Sequence, residues 1–162
     1  MIKNVQNNAK FIPIKSHEEL ITYLENNQLL NENECEVTNI DFHHDILYQE
    51  ADLAQIKYFN KKTCANWVGY LNIHNYLKNI TWVKAPNSDN YTWIENDNIK
   101  DKLIIETLNN IINLDSNYDY IFFCESPQWV PYKYHHLYTL CCNVINTIQE
   151  NSLNLEEENS ND

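Results

Sequence analysis

A single glycine, Gly69, stands among 162 residues. That scarcity removes every architecture whose working part is a glycine-built loop. The phosphate-cradling P-loop, the G-x-G-x-x-G turn of dinucleotide-binding folds and the G-x-S-x-G nucleophile elbow each need more than one. With 43% hydrophobic and 12% aromatic residues the chain can bury one sizeable core. The expectation is one globular domain over residues 1–150 and an acidic mobile tail over residues 151–162, where NSLNLEEENSND offers little to bury. Asparagine occurs 27 times, beside much isoleucine, tyrosine and lysine and no arginine, a bias expected of an AT-rich coding sequence.

Charge excludes a further class. Eleven lysines face 23 acidic residues, leaving a net charge of -12. A nucleic-acid binder needs a basic stripe for phosphates and usually arginine for base edges, so direct nucleic-acid binding is not expected. The first fifteen residues hold no apolar run long enough for a signal-peptide core, and no 18-residue apolar stretch exists for a membrane span. Five cysteines, Cys35, Cys64, Cys124, Cys141 and Cys142, are an odd number with no C-x-x-C pair, which suits free thiols in a reducing cytoplasm.

Local patterns give an order of elements. Ser16 and Glu19 have capping-box spacing, predicting a helix with Leu20, Ile21 and Leu24 on its apolar face. Cys35 to Phe42 reads as a strand, and Leu53, Ile56 and Phe59 give a helix over 50–59. Residues 63–78 fit either a helix capped by Thr63 or a strand. Ile80 to Ala85 and Tyr91 to Glu95, flanking the turn residues of 86–90, predict a hairpin in which Trp82 and Trp93 pair. Leu103, Ile104, Leu108, Ile111 and Ile112 follow helical spacing, predicting a helix from about 97 to 114. The YDYIFFC run at 118–124 suits a buried strand, and Leu137, Tyr138, Cys141, Val144 and Ile145 mark a last helix. The expected fold is an α+β single-domain sandwich, with about four helices against a mostly antiparallel sheet that includes a hairpin near residues 80–95.

Asp41-Phe42-His43-His44-Asp45 is the most metal-like segment, but adjacent histidines on a strand point to opposite faces and the spacing matches no known ligand motif. No metal and no cofactor is expected. Cys124 beside Glu125, with His135 following, has the parts of a thiol nucleophile and base, without a glycine-built oxyanion site. Trp129 between Pro127 and Pro131, with Tyr132 beyond, reads as a rigid aromatic recognition loop. Between Lys15 and Lys57 stand ten acidic residues and no lysine. Such a field steers a protein toward a basic partner.

These features lean toward a small acidic inhibitor, not an enzyme, that binds and neutralises a basic protein. It would be an immunity protein against a cognate bacterial toxin such as a nuclease, or a phage inhibitor of a host defence nuclease. Glu32, Glu34, Asp41, Asp45, Glu50, Asp52, Trp129 and Tyr132 are the expected contact residues. The alternative is a small-molecule-binding domain or enzyme using His43, His44, His135 and Cys124, and a third reading is a structural subunit of an obligate complex.

Overall fold

The computed structural model describes residues 10–47, 50–85, 88, 97–107, 118–126 and 130–159, by backbone alone at 97–98 and 148–159. In chain order the elements are β1 (Lys10–Ile14), α1 (Glu18–Asn26), β2 (Cys35–Asp41), α2 (Glu50–Phe59), α3 (Trp67–Ile73), β3 (Leu77–Lys84), α4 (Asp97–Lys100), β4 (Leu103–Thr107), β5 (Tyr120–Cys124) and α5 (His135–Asn159). They form two compact units, residues 17–116 and residues 1–16 with 117–162. Among the described residues no helix is long and apolar enough to cross a membrane.

The unit of residues 17–116 is built on a three-stranded sheet in the order β2-β3-β4, with both pairings parallel. Parallel neighbours need long crossovers, and α2 and α3 lie in the first of these and α4 in the second. Successive strand side chains point to opposite faces, and the consecutive Trp82 and Val83 are both buried, so the central strand β3 is covered on both sides. Ile21, Ile46, Leu47, Ile56, Trp67, Val68, Leu71, Leu77, Ile80 and Ile99 gather into its core. All five residues from Trp67 to Leu71 are buried, so α3 is enclosed around its circumference. An enclosed helix shows no polar face, which is why apolar spacing left 63–78 open between helix and strand.

Helices and strands both contribute, as an α+β chain requires, but the expected mostly antiparallel sheet is not what forms. β3 has β2 on one edge and β4 on the other, so neither edge is left for a hairpin partner over residues 80–84. The second arm of that hairpin, with Trp93, lies outside the described residues. The predicted helix over 97–114 is corrected as well. Among the described residues of this stretch Asp97–Lys100 is helical, and Leu103–Thr107 is a strand. Leu-Ile-Ile fits either state locally, and pairing along the edge of β3 selects the strand. Residues 108–114 lie outside the description. The Ser16 capping box does not form either. His17 is the N-cap of α1, without a side-chain cap hydrogen bond.

Turns explain part of the asparagine excess. Gln28, Asn33, Asp45, Asn60, Asn75 and Ser126 have φ between 47° and 61°, and asparagine is several-fold enriched in this left-handed region among non-glycine residues. In a chain with almost no glycine, Asn33, Asn60 and Asn75 make turns that glycine would otherwise make.

In the other unit β1 and β5 pair in parallel, with Pro13 opposite Phe123. Proline at 13 masks β1 in the sequence, yet a strand paired on one side tolerates a missing N–H. Tyr138 of α5 stacks on Phe123 with ring centroids 5.1 Å apart and donates its hydroxyl to the Ile14 carbonyl at 3.1 Å. The helix continues to Asn159, through most of the stretch expected to be a tail.

Candidate functional site: a histidine and two aspartates at the carboxyl end of β2

All three strands of the larger sheet point the same way, so their carboxyl ends share one edge, where Asp41, Lys84 and Thr107 lie in register. In open α/β sheets this is the edge beyond which ligands bind. Asp41 is the last residue of β2, and its Oδ1 accepts the Phe42 N–H at 2.5 Å. The chain then turns through residues 42–47 and enters the core, where Asp45 takes φ 53°. The Asp45 carbonyl accepts the N–H groups of Val68 at 3.0 Å and Gly69 at 3.4 Å, joining this turn to the start of α3. The Asp45 carboxylate accepts the Trp67 indole N–H at 2.8 Å.

His17 completes the cluster. Its Nδ1 lies 3.1 Å from Asp45 Oδ2 and its Nε2 lies 3.6 Å from Asp41 Oδ2. One potential ligand atom from each of the three residues can be chosen so that all lie within 4.8 Å of one another. Burial, followed by the nearby charge of Asp45, raises the Asp41 carboxyl above its usual range, and His17 partly offsets this. Chemically the set can hold a proton between carboxylates or coordinate a cation. Sequence reading singled out Asp41 and Asp45 but missed His17. Its role as the residue opening α1 gives no local sign of a partner 24 or 28 positions later.

The neighbouring histidines do different work. His44 is fully buried, with Nδ1 accepting the Ile46 N–H at 3.1 Å and its ring 5.5 Å from Trp82 in a T-shaped contact. Burial and then the adjacent His43 lower its pKa to about 4, so His44 is a neutral core residue at neutral pH. His43 is half-buried, with its ring edge-on to Phe42 and its carbonyl accepting from Asn39. His135 and Cys124 belong to the other unit. His135 Nε2 is 2.8 Å from the Val130 carbonyl, which can only accept, so that nitrogen carries a proton. Its Nδ1 lies 3.5 Å from Glu125, while Cys124 Sγ lies 3.2 Å from the Ser126 hydroxyl. The thiol is thus engaged by Ser126 and the imidazole by Val130 and Glu125.

The ten acidic residues of 16–56 are sorted by the fold. Glu25 pairs with Lys62 and accepts the Tyr70 hydroxyl at 2.8 Å, and Glu36 pairs with Lys78 at 2.5 Å. Lysines remote in sequence therefore compensate charges that look isolated along the chain. Asp41 and Asp45 face His17, and Asp52 is buried in the first turn of α2, where a carboxylate is favoured by the helix dipole. Glu32, Glu34 and Glu50 are exposed, with Glu32 accepting from the Asn75 amide at 2.5 Å. Glu32 and Glu34 precede β2 while Glu50 follows it, so the two groups flank a strand roughly 20 Å long. Tyr132 is 89% exposed, and Trp129 lies outside the described residues.

No family model matches the sequence, and neither a curated protein nor a solved structure matches the chain.

Proposed function

We propose that the protein is a small cytoplasmic inhibitor that binds and neutralises a basic protein. The partner is a cognate bacterial toxin, for example a nuclease to which this chain confers immunity, or a host defence nuclease that a phage inhibitor blocks. The observation that supports this reading is a net charge of -12 with no arginine, combined with the outward exposure of Glu32, Glu34 and Glu50. A nuclease cleft built to attract phosphate attracts carboxylates by the same field. Asp41, Asp45 and Asp52 are engaged or buried inside the unit of residues 17–116, so the expected contacts of that unit narrow to the three exposed glutamates; Tyr132 and Trp129, in the other unit, are expected to contact the partner separately as aromatic anchors.

The test is capture of a basic partner by the immobilised full chain, followed by stopped-flow association over a salt series. Replacing Glu32, Glu34 and Glu50 together by glutamine is expected to slow association by about tenfold at low salt and to flatten its ionic-strength dependence. Equal rates for the variant and the natural chain at every salt concentration would remove the electrostatic basis of the proposal. Trp129→Ala is expected to act on dissociation instead, because a buried anchor is lost only after encounter.

A further inference from the structure

The geometry points to a divalent transition-metal site formed by His17, Asp41 and Asp45, independent of the inhibitor reading. Three features carry it. First, the donors are one imidazole nitrogen and two carboxylate oxygens on three separate segments: the start of α1, the end of β2 and the turn that follows. Their candidate ligand atoms lie within 4.8 Å of one another. Donors bound at about 2.0–2.2 Å around a tetrahedral metal stand about 3.3–3.6 Å apart, so closure asks for shifts of up to roughly 1–1.5 Å, within reach of side-chain rotation. Second, both carboxylates are already oriented by donors outside the triad. Phe42 N–H holds Asp41 Oδ1 and leaves Oδ2 toward His17, while Trp67 Nε1–H holds Asp45 through Oδ2, the oxygen that also lies 3.1 Å from His17 Nδ1. Ligating carboxylates in metal sites are fixed by outer hydrogen bonds in this way. Third, the set is sheltered but reachable, with side-chain exposures of 17% for His17, 26% for Asp41 and 4% for Asp45. This distinguishes it from a solvated acidic patch.

An imidazole among the donors favours Zn²⁺ or Mn²⁺ over Ca²⁺ or Mg²⁺, which prefer all-oxygen shells. Three protein ligands leave coordination positions open to water or to a group on a partner. A filled site would bind the start of α1 to the turn that supports α3, adding stability that rises with the logarithm of free metal concentration above the dissociation constant.

The experiment uses the full chain, stripped with chelator and titrated calorimetrically with zinc chloride and, separately, manganese chloride. One equivalent of zinc or manganese is expected to bind. His17→Gln and Asp41→Asn are each expected to weaken binding at least about tenfold, and His43→Gln to leave it unchanged. Imidazole nitrogen NMR of the natural chain gives a readout that does not depend on how the variants fold. Zinc is expected to shift the His17 ring nitrogens and leave those of His135 and His136 in place. Absence of saturable binding, or zinc shifts confined to His135 and His136, would overturn the site. Neither result bears on partner capture, so failure here and failure of the inhibitor reading are separable.

Discussion

Replacing Gly69 by alanine isolates the one position where the chain uses glycine. In most helices this change stabilises by about 1 kcal/mol, since alanine loses less backbone entropy and shields the peptide. At Gly69 a Cβ would lie 2.0 Å from the Ile46 carbonyl oxygen, 2.9 Å from Leu47 Cδ2 and 3.0 Å from Leu47 Cγ. An ordinary carbon–oxygen contact is above 3 Å, so the 45–47 turn must retreat by about an ångström. That turn cannot retreat freely. Ile46 and Leu47 are fully buried, and the Asp45 carbonyl accepts from Val68 and Gly69. Overpacking costs about 1–3 kcal/mol and a strained or broken buried hydrogen bond about 1–3 kcal/mol more. Subtracting the helical gain leaves a destabilisation of about 1–5 kcal/mol, a large share of the roughly 5–15 kcal/mol that holds a domain folded. Urea titration read by circular dichroism and tryptophan fluorescence measures it, as a lower midpoint at unchanged slope. Ala51→Gly on the exposed side of α2 calibrates the propensity term and is expected to cost about 1 kcal/mol. A Gly69→Ala chain as stable as the natural one would refute the close approach of turn and helix as the reason for glycine here.

The remaining predictions concern polar groups held by the fold. Asp45→Ala leaves the buried Trp67 indole N–H without its acceptor and is expected to cost about 2–4 kcal/mol in urea unfolding; Asp45→Asn, which keeps an acceptor oxygen, is expected to cost less. Burial would raise the Glu25 carboxyl, but Lys62 and the Tyr70 hydroxyl outweigh it and hold its pKa below the ordinary 4.5. Its charged form therefore stabilises the fold above pH 4.5, and that contribution disappears as pH falls through the lowered folded value. Glu25→Gln is expected to be less stable than the natural chain at pH 7 and equal to it in strong acid, and a gap in unfolding free energy that persists in strong acid would contradict the assignment. Tyr138→Phe keeps the stack on Phe123 and loses the bond to the Ile14 carbonyl, so about 1 kcal/mol is expected, against about 3–5 kcal/mol for Tyr138→Ala.

Elements whose signals are local were legible. Leu53 and Ile56 mark α2 by spacing, and the aromatic and β-branched run of 120–124 marks β5 as a strand, though a half-buried one paired with β1 alone and not the buried strand expected. The site was half legible. Asp41 and Asp45 stand in a segment rich in metal-ligand types, but the two histidines between them are not the ones used. His44 is consumed by the core, and the third donor comes from His17. A histidine at a helix start carries no mark of the strand end it will face, and only the fold that brings the start of α1 beside the end of β2 creates that pairing.

What the sequence determined by itself follows from composition and near neighbours. Scarce glycine excludes loops that need it, apolar spacing places α2, and runs of β-branched and aromatic residues place β2 and β5. The tertiary structure decided whatever depends on a partner far along the chain. It made Leu103–Thr107 a strand by offering the free edge of β3, turned both sheets parallel, and brought Lys62 and Lys78 to acids that seemed uncompensated. It also set Gly69 against Ile46. The physical reason is the same throughout. Spacing and propensity act over a few residues, whereas strand pairing, close packing and Coulomb attraction depend on distance in space, which the chain acquires only when it folds.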